Sequence, residues 1–288
     1  NKEMFMKKSA GSEFIFQLFA LLLAVIVVHA VYVTLIRPNA DALIQQQAAQ
    51  QLAGAVVTNQ RSIYVVLKDY EQETCFVLML WALMIMSYKA KSSFQEKNML
   101  AQVMLNVKQG ASIYPDDARH LYQPLQKLPK SEQIMLAPRT LIIALTRFSA
   151  TANVAAVATA VKDICQAEGD RLDSELAMIR YISWAIPSIG FIGTVRGIGE
   201  ALGQAHQAVE GNIIGVTNSL GVAFNSTFIA LVISIFIMFF THQLQLMQER
   251  LVQDTQDYCD TNLLNHLKTQ TNNTNNCNEG TESSQEVK

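Results

Sequence analysis

The chain has 288 residues, of which 50% are hydrophobic and only 16% charged, and its net charge is −2. Soluble domains carry about 25% charged residues. The composition therefore points to a membrane protein, and the absence of a basic excess argues against a nucleic-acid partner. Cys75, Cys165, Cys259 and Cys277 form no CxxC pair and no metal-spaced cluster with histidine, so they read as free thiols in a reducing compartment. No cofactor, metal or catalytic constellation is expected, and the chain does not read as an enzyme.

Residues 1–13 form a short N-terminus, in which Lys7 and Lys8 precede the first apolar run. The first apolar run, 14–36, is long enough at ~1.5 Å per residue to cross ~30 Å of hydrocarbon. Gln17 and His29 are its main polar members. It exceeds the apolar core of a signal peptide, and no small-residue cleavage site follows. Residues 37–74 are rich in glutamine and alanine and then mixed; they read as helical, with Pro38 just past the span. The second run, 75–88, is short for a span, and the charge pattern decides its reading. The segment 89–180 is densely basic from Lys89 to Arg180, whereas 37–74 holds only Arg37, Arg61 and Lys68. With four spans, the N-terminus, the basic loop and the C-terminus all lie in the cytoplasm, as the positive-inside rule requires. A three-span chain would put the N-terminus and the basic loop on opposite sides.

The cytoplasmic loop 89–180 begins with a predicted helix to Lys108, broken at Gly110 and Pro115. Pro124, Pro129 and Pro138 mark the next region. From Pro138 onward Val154, Val157, Val161, Ile164 and Leu172 recur near helical spacing, which predicts a long cytoplasmic helix running into the third span, 181–205. A turn at 206–211 carries no Lys or Arg and leads to the fourth span, 212–240. Residues 241–267 extend that span as an amphipathic helix with Leu244, Met247 and Leu251 on one face. The tail, 268–288, is rich in asparagine and threonine and reads as disordered. The fold class is all-α, a polytopic membrane protein with four transmembrane helices and long cytoplasmic helical extensions.

Two stretches hold the candidate site. In the third span, Gly190, Gly193 and Gly197 share one helical face, and Gly193/Gly197 and Gly199/Gly203 are GxxxG pairs. Small residues let helix backbones approach closely in lipid, so packing accounts for the glycines. Pro187 frees a carbonyl that a neighbour must satisfy, either as a structural kink or as a gating hinge. Arg196, ~22 Å from the cytoplasmic end of the span, is costly in lipid. It either snorkels to the interface beside Glu200, one turn on, or faces a hydrated path or an acidic partner helix. In the fourth span Ser219, Ala223, Ser226, Ala230 and Ser234 line one face, with Thr227 on its flank and Phe224, Phe228, Leu231 and Ile235 opposite. Asn218 and Asn225 form a second polar line. Each serine alone can bond back to its own helix, while the stripe as a whole reads as a packing seam or a polar lining. Thr194 and Thr227 both fall in the middle of the membrane, where a hydroxyl can hold water or touch a carboxylate. No span carries an Asp or Glu at mid-depth, so a titrating carboxylate would come from another chain.

The run PSIGFIGTVRGIGEAL, Pro187 to Leu202, followed by SLGVAFNSTFIALVISI, resembles the MotA/TolQ/ExbB proton-channel family over Pro187 to Leu231. The resemblance implies that Thr194 is the GTV threonine of the TolQ and ExbB branch and Thr227 the second threonine of the final span. Pro187 corresponds to the proline that MotA-type proteins place at the start of the same span, and the four-span layout looks like MotA. The last-span glutamate of TolQ and ExbB falls here on Val222 or Asn218. The resemblance further implies a homopentamer around two single-span MotB/TolR/ExbD-type helices, each supplying a membrane aspartate. On that basis Thr194, Thr227, Ser226, Ser219 and Asn225 are the ion-pathway candidates. Pro187, Gly190, Gly193, Gly197, Arg196 and Glu200 are candidates for the helix interface or gating. The expected activity is ion, chiefly proton, conduction coupled to mechanical work in the bacterial inner membrane. Two rival readings are a non-conducting membrane scaffold and a solute transporter; transporters usually show internal repeats and more spans.

Overall fold

A computed structural model describes residues 2–52, 62–102, 105, 112–209, 211 and 213–268. Arg61, Lys108, Gly110, Asn212, Cys277 and the tail from residue 269 lie outside the described residues. Within them the structure is helical: α1 (Lys2–Val31), a π-helical turn (Tyr32–Ile36), α2 (Arg37–Leu52), α3 (Ile63–Leu67), α4 (Tyr70–Leu100), α5 (Pro115–Gln126), α6 (Lys130–Gln133), α7 (Leu136–Thr151), α8 (Val154–Glu175), α9 (Ala177–Gly203), α10 (Ala205–Val209) and α11 (Ile214–Asn262). A single parallel bridge joins Ile113 to Leu267. Among the described residues, four helical stretches are long and apolar enough to cross a membrane: Phe14–Gln46, Tyr70–Leu100, Val154–Gly203 and Ile214–His266.

The chain forms two compact units, one from Asn1–Ser93 with Leu172–Gln248 and one from Phe94–Arg171 with Glu249–Lys288. In the first unit, Cys75, Ile85 and Met86 of α4 pack with Ile179, Ile182 and Ile186 of α9 and Ala230, Ile233 and Ile237 of α11. The Trp81 indole N–H donates to the Gln17 carbonyl at 2.9 Å and ties α1 to α4. Lys89 pairs with Glu175 at 2.7 Å. The first helix does not stop at Pro38. Its wider π turn ends two residues before the proline, in the stretch whose carbonyls the ring would otherwise strike. The short second apolar run belongs to a longer helix, because α4 starts at Tyr70 with Glu71 and Glu73 in its first turn.

The second unit is held by Leu141, Leu145 and Phe148 of α7, Val157, Val161 and Cys165 of α8, and Cys259 and Leu263, with Leu125 of α5 beside them. Arg139 and Arg171 both reach the buried Glu168, at 2.8 and 3.3 Å. The long helix expected from Pro138 into the third span is divided into α7, α8 and α9. The first break has a clear cause. Ala152 takes a left-handed conformation with φ 48°. The Asn153 side chain then accepts the Ala156 N–H at 3.1 Å and caps α8. The second, at Leu176, is one residue wide. Of the apolar positions at helical spacing, Val157 and Val161 on α8 and Leu244 and Leu251 on α11 are buried, while Val154, Ile164, Leu172 and Met247 are half-buried.

Candidate functional site

Helices α9 and α11 meet antiparallel along a seam of small residues. A Cβ on Gly190 would fall 2.5 Å from the Ala230 Cβ, one on Gly193 2.6 Å from the Ser226 Cβ, and one on Gly197 2.8 Å from the Ala223 Cβ. Real Cβ atoms are not found so close, so these three positions admit only glycine at this helix separation. The serine stripe lies inside the same seam: Ser219, Ser226 and Ser234 are buried, as are Ala223 and Ala230 among them. Gly199 and Gly203 are different. Nothing stands within 4 Å of a Cβ built on either, so the second GxxxG pair does not face α11. Phe224, Phe228 and Ile235 point away from the seam and are exposed, as their spacing predicts.

The carbonyl that Pro187 frees is that of Ser183, four residues earlier, and the Ser234 hydroxyl donates to it at 3.2 Å. Helix α9 thus runs unbroken through the proline because α11 supplies the missing donor. Near the centre of the seam Thr194 and Thr227, one from each helix, hydrogen-bond to each other through their hydroxyls. The Thr227 hydroxyl is also 3.1 Å from the Gly190 carbonyl, and that of Thr194 is 3.2 Å from the Ala223 carbonyl. Both residues are half-buried at the edge of the seam. Two hydroxyls own two protons, and backbone carbonyls compete for both. At most one of the two oxygens accepts a bond from the other. The pair therefore keeps acceptor capacity that neither helix uses, without bearing charge. Asn225 takes no part in these bonds, and Ser219 reaches Gln204 at 3.5 Å.

Arg196 has an acidic partner helix, and it is α4 of the same chain. Its guanidinium meets the Glu71 carboxylate with two contacts, Nε to Oε1 at 2.9 Å and Nη2 to Oε2 at 3.0 Å. Glu200, the i,i+4 candidate, stands farther off at 3.9 Å and is half exposed. A two-pronged arginine–carboxylate pair is the stronger geometry, so Glu71 and not Glu200 holds Arg196. Glu71 also lies against the seam: a Cβ on Gly193 would come within 3.2 Å of its Cγ. Glu73, two residues on, bonds His29 at 2.7 Å and pairs with Arg37, whose guanidinium lies 4.4 Å above the Tyr70 ring. Between them Gln72 turns to α11 and donates to the Ser226 hydroxyl at 3.3 Å.

Reading residues 37–74 as a connecting segment left Glu71, Gln72 and Glu73 out of the candidate site. The signal was present. Acids in a first turn favour a helix N-terminus, and YEQET directly precedes the apolar run. Just ahead of this turn, burial pushes the Asp69 carboxyl above its ordinary range; Lys68 and Arg196 pull it down, and Glu71 and Glu200 raise it further.

These features define a multi-pass all-helical membrane protein whose last two spans share a glycine–serine seam with a hydroxyl pair at its edge. Residues 126–257 match the model of the MotA/TolQ/ExbB proton channel family. The matched segment contains Thr194, Thr227 and Arg196 but not Glu71, Gln72 or Glu73. No curated protein and no solved structure gives a significant match.

Proposed function

We propose that the chain is the proton-conducting subunit of an ion-driven stator in a bacterial inner membrane. Five copies surround two single-span partners of the MotB/TolR/ExbD type, and a membrane aspartate of each partner takes up the ion opposite Thr194 and Thr227. The N- and C-termini face the cytoplasm, where the basic segment 89–180 also lies. Ion passage past the pair drives movement of the ring relative to the partner, with Pro187 as the point where α9 yields.

The observation that carries this reading is the Thr194–Thr227 hydroxyl pair, with acceptor capacity left over at a half-exposed edge. Such a pair can receive a hydrogen bond from a protonated carboxyl or a hydrated ion, while no carboxylate of α9 or α11 takes part in it. The match of residues 126–257 to a proton channel family supports it from a second side. A second reading, a non-conducting scaffold, draws on the burial of Ser219, Ser226 and Ser234 against the glycines, which is what pure packing would also give. Proton and sodium flux into vesicles holding this chain and a candidate one-span partner separates the two. Partner-dependent flux that is lost in Thr194→Ala and Thr227→Ala is expected. A correctly assembled complex that conducts under no gradient would favour the scaffold.

A further inference from the structure

Glu71, Gln72 and Glu73 are consecutive, yet each meets a different helix: α9, α11 and the first span. The outer two are ion-paired. Gln72 is neutral, only 1% exposed, and its Oε1 is buried with no hydrogen-bond partner among the described residues. Its Nε2 is placed 3.3 Å from the Ser226 hydroxyl, which sits in the seam one residue from Thr227. Whichever way the amide is turned, Ser226 can satisfy only one of its two ends. A buried amide end without a partner keeps its desolvation cost with no bond to offset it. An apolar side chain of the same size would avoid that cost, so packing alone does not explain a glutamine here. The Ser226 hydroxyl that Gln72 meets and the Glu71 Cγ converge on Gly193: a Cβ built there would fall 2.7 Å from the one and 3.2 Å from the other.

We propose that Gln72 is a pathway residue contributed by α4. Its free amide end binds a hydrated monovalent cation, hydronium or sodium, and passes it between Glu71 and the seam hydroxyls. The subunit then supplies its own polar entry to the Thr194–Thr227 pair, ahead of any carboxylate on a partner chain. This inference rests on the conduction reading for its purpose, but its geometry can be tested without it.

In the complex with the one-span partner, Cys75, Cys165, Cys259 and Cys277 are replaced by alanine and a single cysteine is returned as Gln72→Cys or Ala82→Cys. Ala82 is equally buried on the same helix, in the apolar core. A small, positively charged thiol reagent added to both sides of the membrane should modify Gln72→Cys and leave Ala82→Cys intact. Flux driven by a proton or a sodium gradient should fall severalfold in Gln72→Leu. It should persist with a changed pH dependence in Gln72→Glu, and the gradient that drives it identifies the cation. An unreactive Gln72→Cys, or full flux in Gln72→Leu, overturns the proposal. If the wild-type complex conducts nothing, the conduction reading fails, and the thiol reaction alone decides whether Gln72 faces water.

Discussion

The two units of this chain solve the packing problem with opposite chemistry. In one, α9 and α11 approach through Gly190, Gly193, Gly197, Ala223 and Ala230, and hydroxyls fill what is left. In the other, Leu141, Leu145, Phe148 and Val161 fill a conventional core. The first arrangement is what lipid demands, since no hydrophobic force drives helices together there and close backbone contact must replace it. The second depends on removing bulky side chains from water. The same chain therefore tolerates added volume least where its residues are smallest, and loss of volume least where they are largest.

The largest effect should come from adding bulk to the seam. Gly193→Leu must displace Ser226 and Glu71 together, and purification in mild detergent should yield no monodisperse protein, whereas Gly199→Ala, with open space around it, should purify like wild type. Normal behaviour of Gly193→Leu would break the comparison. Next is loss of volume in the second unit. Phe148 is fully buried there, and Phe148→Ala should cost about 3–5 kcal/mol in denaturant unfolding of the purified chain.

Smaller effects concern the polar turn of α4. Glu71→Gln removes the two-pronged partner of Arg196, which is itself 39% exposed. The expected loss is about 1 kcal/mol, as for partly exposed pairs. Glu200→Gln, at 3.9 Å, should change melting too little to measure. The smallest effect is at Asp69. Its carboxyl is raised by burial, so the folded state holds this proton over a pH range in which the unfolded chain has lost it. Stability falls as pH rises through that range. Asp69→Asn should thus raise the melting temperature slightly at neutral pH, and the gain should disappear on acidification below the ordinary aspartate range.

Much of this was legible because the two spans announce their geometry. Gly190, Gly193 and Gly197 at helical spacing gave the contact face of α9, and the serine stripe gave the matching face of α11. The proline ring at Pro187 implies a freed carbonyl, but not that Ser234 satisfies it, because residue spacing cannot set the register between two helices. The cost of a charge in lipid shows that Arg196 needs a partner. It does not show which one, because Glu71 stands 125 residues away in sequence, beyond the reach of any local spacing. The division of the long helix at Ala152 turns on one left-handed residue and the cap at Asn153, whose signal the surrounding helical pattern outweighed.

The central claim is that the hydroxyls of the pair, not their volume, pass the ion. Flux through the reconstituted complex with its one-span partner, compared for Thr194→Ser and Thr194→Val, tests it most directly. Serine keeps the hydroxyl and valine keeps the shape. The account predicts that Thr194→Ser conducts and Thr194→Val does not, in complexes that assemble equally well. Wild-type flux in Thr194→Val would contradict it and return both threonines to packing.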